Sequence, residues 1–387
     1  MGSIISRILM DNLRDSIRLP LLKIVDFNEN SLLLLRSNAS DRNVDEEFID
    51  TESVVHTSND ERLCGLANLG NSCYINSAVQ CLANIRELTI KILHLRQQQL
   101  PHLSSIYVKL MTEMWLGEDD STTAEDLKTA ISELSPRFCG NEQQDVLEFL
   151  MVLLGILFEE LKCILDLDLI QGTLHSSITC SRCNQSVEIE DFFTSLSLPL
   201  SWQIPSETSE QQGFFMRCAT SLLSVFRLSP EPSLTLDNCL EHLLSEEILD
   251  THRQWFCHRC NCLTTATKKL DLWTVPKILI FQLKRFTYDL SNNRKIQTLV
   301  QYPLDHFYLN NYVKNPAHTK PIEYTLVAVS NHVGNLLNGH YTTFARHLSS
   351  QHWYHYNDRQ IHIAWDDEIV TSNAYVLVYV RRDLVFD

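Results

Sequence analysis

The sequence predicts an α+β protein with helices first and a sheet after, on three observations. Apolar residues fall at helical spacing through residues 64–165, short alternating runs replace them after Gln171, and no internal repeat or low-complexity block interrupts either half. The 387 residues are 44% hydrophobic and 21% charged, which excludes collagen-like and low-complexity architectures. That length admits two domains, or one large domain with a tail.

Residues 1–61 stand apart. Ile5, Leu9, Leu13 and Ile17 share one helical face that Pro20 ends, and Arg7, Arg14, Arg18 and Lys23 make the stretch basic. From 38 to 61, Asp41, Asp45, Glu46, Glu47, Asp50, Glu52, Asp60 and Glu61 accompany few apolar residues, the composition of a flexible linker. Met1-Gly2-Ser3-Ile4-Ile5-Ser6 fits the N-myristoylation pattern, and the basic stretch beside it would add the second signal that peripheral membrane anchoring needs. A plain N-terminal helix is the other reading.

From Cys64 the chain turns compact. Ile75, Ala78, Val79, Leu82 and Ile85 predict one helix. Val146, Leu150, Leu153, Leu154, Leu157 and Leu161 predict another, with Asn141 and Gln144 in capping-box positions ahead of it. Residues 201–234, where Pro205, Pro230 and Pro232 stand among Ser and Glu, read as a surface insertion. Residues 192–200 form a short alternating run, and 278–286, 324–331, 340–346 and 374–380 predict strands.

Thirty-two Lys and Arg against 48 Asp and Glu leave a net charge of −16, a field that repels nucleic acid and favours basic partners. No apolar run approaches the ~20 residues of a membrane-spanning helix, and no secretory signal is visible. Twelve cysteines in so long a chain therefore read as thiols and metal ligands of a cytoplasmic or nuclear protein, not as a disulfide scaffold.

Gly65-Leu66-Ala67-Asn68-Leu69-Gly70-Asn71-Ser72-Cys73-Tyr74-Ile75-Asn76-Ser77 is a glycine-bracketed loop running into a helix, with Cys73 at the junction. Helix N-termini favour thiolates, and their free amides can face a developing oxyanion. Asn68 could add its side-chain amide to the same oxygen. A buried small apolar side chain is the competing reading of Cys73.

A thiolate nucleophile needs a base within hydrogen-bond reach and a third group to fix the tautomer of that base. His340 in Asn338-Gly339-His340-Tyr341-Thr342 and His332 in Asn331-His332-Val333-Gly334 are the rivals among 15 histidines. Spacing alone does not separate them, and either could be structural. Cys180-Ser181-Arg182-Cys183 and Cys257-His258-Arg259-Cys260 are two C-x-x-C pairs, each able to chelate one side of a tetrahedral ion from a hairpin tip. The 73 residues between them exceed a compact zinc ribbon, and a redox disulfide is the alternative.

The stretch 65–82, ending Gln80-Cys81-Leu82, resembles the cysteine box of the ubiquitin-specific protease family. Gln143-Gln144-Asp145-Val146-Leu147-Glu148-Phe149-Leu150 resembles its second box, and residues 324–341 its histidine box. With the runs 192–200, 276–286 and 374–379 the resemblance spans residues 64–381. It implies a papain-like cysteine peptidase of residues 62–387 shaped as a right hand, with thumb 65–165, zinc-bearing fingers 170–270 and palm 271–387. It makes Cys73 the nucleophile and His340 the base. Asn357, the first polar residue of Trp353-Tyr354-His355-Tyr356-Asn357-Asp358, orients the base with Asp358 nearby, and Asn68 stabilises the oxyanion.

The same resemblance makes His332, Gln144, Tyr341 and Gly339 substrate contacts and Asp145 the anchor of a basic tail, although Asp145 reads equally as a helix N-terminal charge. Cys180, Cys183, Cys257 and Cys260 would hold one structural zinc, with Cys262 outside the set. The implied activity is hydrolysis of isopeptide bonds at the C-terminal glycine of ubiquitin, with ubiquitin and ubiquitinated proteins as partners. A protease for a ubiquitin-like modifier and a catalytically silent ubiquitin-binding scaffold are the competing expectations; the presence of Asn68, Cys73, His340 and Asn357 together speaks against the scaffold. Asn338 stands where many relatives carry a second glycine, and is expected to stiffen the turn before His340.

Overall fold

The computed structural model describes residues 62–200, 234–250, 254–289, 292–335 and 338–384. The N-terminal helix, the acidic linker and the acylation motif lie outside them, as does the 201–234 insertion except its last residue. No described helix is long and apolar enough to cross a membrane.

Among the described residues, five α-helices precede the two main sheets. The first, α1 (Cys73–Ala83), is buried along its whole length. Its polar side chains therefore need internal partners: Gln80 donates to the Cys64 carbonyl at 2.8 Å, and Asn76 to those of Leu66 and Ala67. Around it lie α2 (Arg86–His94), α3 (His102–Leu116), α4 (Glu125–Leu134) and α5 (Val146–Glu160). Phe149 packs edge-on against both Tyr74 and Phe138 at 5.4 Å where α1 meets α5.

The cap of α5 differs from the expected Asn141–Gln144 box. Asp145 caps it, its Oδ1 accepting from the amides of Leu147 and Glu148 at 2.8 and 3.0 Å. Asn141 instead accepts from Asn71 through its carbonyl and from Lys128 through its side chain. A carboxylate taking two first-turn amides at the positive end of the helix dipole outcompetes a neutral amide further out.

Next come β1 (Gly172–Cys180) and β2 (Ser186–Phe193), a long hairpin. The alternating run at 192–200 is not one strand: it breaks at Thr194, beyond which β3 (Ser195–Pro199) joins another sheet. Helix α6 (Leu236–Leu244) opens with a Thr235–Asn238 capping box. Strands β4 (Glu247–Leu249) and β5 (Ala266–Thr274) complete a four-stranded antiparallel sheet ordered β2–β1–β5–β4.

The larger sheet holds β6 (Ile278–Lys284), β7 (Glu323–Gly334), β8 (Gly339–Arg346), β9 (Trp353–Asn357), β10 (Gln360–Ala364) and β11 (Ala374–Arg381). Its order is β10–β9–β8–β7–β11–β6–β3, with Phe307–Tyr308 pairing on β7. Within this sheet, among the described residues, only β3 on β6 runs parallel. Both faces are covered: Ile278 and Ile280 point into the cluster shared with the helices, Leu279 and Phe281 into a second cluster with α6. That double burial explains why 278–283 and 374–380 read as continuous apolar runs.

One irregularity shapes the site. β8 pairs with β7 from Gly339 onward, but with β9 only from Thr343. His340 thus lies in an interior strand, at a stretch whose second neighbour is missing.

Candidate active site

Cys73 is the first residue of α1, reached through a loop that bends at Gly70 (φ +86°) and Asn71 (φ +54°). Ser72 occupies the capping position, yet its hydroxyl accepts from Leu69 N at 2.8 Å and bonds Asn68 Oδ1, making no cap hydrogen bond. The first-turn amides beside Cys73 are therefore uncapped donors, the arrangement that receives an anion. One turn further on, Ser77 Oγ lies 2.6 Å from Ser330 Oγ on β7 and 2.7 Å from Thr343 Oγ1 on β8. All three hydroxyls are buried, and the knot fixes the cysteine helix against the histidine strand.

His340 Nε2 donates to Asn357 Oδ1 at 2.7 Å, leaving Nδ1 for the hydrogen bond with the Cys73 sulfur. That bond is the main cause raising the imidazole to about 9; burial opposes it and Asn357 supports it. Asn357 closes β9 where β8 has splayed away, so the gap between the two strands is what its side chain crosses. The sequence left His332 as a rival base, but it is only 5% exposed and burial pushes its ring down to about 4. His332 is a neutral buried ring among Phe286, Tyr341 and Tyr375.

Asn68 accepts at Oδ1 from Gly70 N and Ser72 N and donates one amide hydrogen to Asp358 Oδ2 at 3.0 Å, leaving its second hydrogen for a ligand. Asp358 also takes Asn76 Nδ2 at 2.8 Å, and its carbonyl accepts from Leu66 N at 3.0 Å. It thus ties the β9–β10 turn to both the Asn68 loop and α1.

On the other side of His340, Gln143 Nε2 donates to the Gly339 carbonyl at 2.9 Å, and Gly339 N donates to Gln143 Oε1 at 2.8 Å. The sequence reading singled out Gln144, which is half-buried with no such contact; Gln143 was missed, and its only signal was membership of the same box. Gly339 has no room for a side chain, since a Cβ would lie 2.0 Å from His332 Nε2. Tyr341 is buried against His332 and Tyr375. Asp145 gives Oδ1 to its helix and accepts from Tyr375 OH at Oδ2, and burial raises its carboxyl. Asn338 closes its turn through its own backbone and the Asn335 side chain, so a glycine there would close it equally well.

The four C-x-x-C sulfurs lie within 4.8 Å of one another. Cys180 ends β1 and Cys257 ends the short strand Trp255–Cys257, and each pair turns at an asparagine of positive φ, Asn184 and Asn261. Arg182 N donates to Cys180 Sγ at 3.4 Å. Four convergent thiols make an all-sulfur donor set of the kind that suits zinc. Cys262 lies outside the set and accepts from Arg182.

A helical layer meeting a twisted sheet along a Cys–His–Asn line is the architecture of papain-like cysteine hydrolases. The profile of the family described as Ubiquitin carboxyl-terminal hydrolase matches residues 64–379, and the chain belongs to that family. It is 30% identical over 368 residues to ubiquitin carboxyl-terminal hydrolase 2 of Rattus norvegicus, covering 84% of this chain and 55% of the relative. The Homo sapiens protein of that name is 31% identical over 359 residues, covering 82% and 55%. The chain thus spans about half the length of these curated relatives. Among solved structures, the SAGA Ubp8/Sgf11/Sus1/Sgf73 DUB module bound to ubiquitin aldehyde superimposes with a TM-score of 0.66 at 24% identity, covering 84% of this chain and 71% of that one.

Proposed function

We propose that the chain is a deubiquitinase that hydrolyses isopeptide bonds at the C-terminal glycine of ubiquitin. The observation that carries this is the Cys73 sulfur hydrogen-bonded to an imidazole whose other nitrogen is held by Asn357. Cys73 as thiolate attacks the glycine carbonyl, and the oxyanion is met by the Cys73 backbone amide and the free Asn68 hydrogen. Each such donor is commonly worth ~10²–10³ in rate. As the C–N bond breaks, His340 gives its proton to the departing lysine amine. The neutral imidazole then takes a proton from water, whose oxygen displaces sulfur from the thioester. Gly339 and Asp145 would contact the glycine-ended, basic tail of the substrate.

The fingertip cysteines Cys180, Cys183, Cys257 and Cys260 would hold one structural zinc, which joins two hairpins and takes no part in the chemistry. Peripheral membrane contact through an acylated Gly2 belongs to the same reading, and lipid incorporation equal in wild type and Gly2→Ala would remove it. The activity itself is tested with isopeptide-linked ubiquitin alongside conjugates of ubiquitin-like modifiers. Cleavage of the ubiquitin conjugate in preference is expected; cleavage only of another modifier, or of none, overturns the proposal.

A further inference from the structure

We propose that the hollow on the Asn357 side of the site receives the acceptor protein, and that Arg359 there selects acceptors with acidic residues beside the modified lysine. This deepens the isopeptidase reading and rests on it.

The two flanks of the Cys73–His340 pair differ in room. On one flank Gln143 bonds both backbone polar groups of Gly339 and closes the edge of β8 there. In the isopeptidase reading that flank takes the glycine tail. On the other, Asn68, Asn357, Asp358, Arg359 and Gln360 line an open depression of about 460 Å³. In hydrolysis of an amide, the acyl part and the leaving amine extend to opposite sides of the attacked carbon. With the glycine tail on the Gly339 flank, the lysine and its protein face the depression.

The lining carries one carboxylate, Asp358, and one guanidinium, Arg359, and the two are held differently. Both Asp358 oxygens are engaged by Asn68 and Asn76, and the other lining side chains besides Arg359 are neutral amides. Arg359 is exposed at the β9–β10 turn, and its guanidinium has no hydrogen-bond or ion-pair partner among the described residues. Its main chain, by contrast, is fixed: a Cβ on Gly65 would lie 2.5 Å from the Arg359 carbonyl oxygen. A rigid turn thus presents an unpaired cation over a polar hollow, in a protein of net charge −16. The complementary ligand is an acidic peptide segment.

The test uses ubiquitin joined by an isopeptide bond to short peptides whose acceptor lysine is flanked by Asp and Glu, by Ser, or by Lys and Arg. A screened, exposed pair supports a preference of about two- to fivefold in kcat/KM for acidic over basic flanks, shrinking at high salt. Arg359→Gln flattens the ratio and Arg359→Glu inverts it. Equal cleavage of all three conjugates by wild type, or an acidic preference surviving in Arg359→Glu, overturns the role of Arg359 while leaving the isopeptidase reading standing. Cleavage of none of them overturns that reading, and this proposal with it.

Discussion

Gln143 holds Gly339 by both of its backbone polar groups, at 2.9 and 2.8 Å, across 196 residues of sequence. The side-chain amide supplies one donor and one acceptor, as a neighbouring strand would, where β8 has no partner on that side. It joins the helical wall of the cleft to the residue before His340. Loss of two hydrogen bonds worth about 0.5–1.5 kcal/mol each is expected to lower kcat/KM on a fluorogenic ubiquitin substrate roughly tenfold in Gln143→Ala. Gln143→Glu keeps the acceptor but sets a carboxylate against the Gly339 carbonyl, so it should not restore the rate. Wild-type kinetics in Gln143→Ala would show the clasp to be idle.

Gly339→Ala tests the packing behind that clasp. The added methyl meets the buried His332 ring, and overpacking of this kind commonly costs about 1–3 kcal/mol. A strong loss of activity is expected from Gly339→Ala alone. Adding His332→Ala removes the obstacle, so the pair should be non-additive. Simple addition of the two single effects would refute the clash.

Asn357 tunes an alkaline limb of activity that the Cys73–His340 pair chiefly sets. His340 titrates at about 9 in the folded protein, above its ordinary value of 6.5. The raised value means that the imidazolium stabilises the fold fully below 6.5 and that this contribution is lost as pH rises through about 9. The same loss of the proton donor should give kcat/KM an alkaline limb near 9. Asn357→Ala removes a supporting hydrogen bond and should move the limb down. Asn357→Asp adds a negative charge and should move it up. Superimposable pH–rate profiles for wild type and the Asn357→Asp variant would exclude this role.

Metal analysis should find one zinc per chain. Cys183→Ser is expected to lose it and to lower Tm by several degrees, because binding energy at such a site is folding energy. Cys262→Ser should retain the metal. Loss of zinc in Cys262→Ser, or none in wild type, would contradict the ligand set.

The parts of this site that were legible in the sequence are those encoded locally. A cysteine at a loop-to-helix junction, a histidine beside a glycine turn and two C-x-x-C knuckles each announce themselves within a few residues. The helix–sheet order and the strands at 278–286 and 374–380 were legible for the same reason, their ends shifting by a few residues. Contacts between distant residues were not. Asp358 reaches Asn76 across 282 positions, and nothing near either residue marks the pairing. The cap of α5 was misplaced because Asn141, Gln144 and Asp145 all suit a helix start, and only the backbone path past Gly140 (φ +91°) decides which one meets the free amides. Thr194 was equally silent: the alternation on its two sides matches, although the sheets differ.

The most direct test of the central claim is intact-mass analysis after incubation with a ubiquitin carrying a C-terminal vinyl-sulfone-type electrophile. Wild type is expected to gain the mass of one ubiquitin, mapped by peptide digestion to Cys73, while Cys73→Ser gains none. An unlabelled wild type, or an adduct that persists in Cys73→Ser, would contradict it.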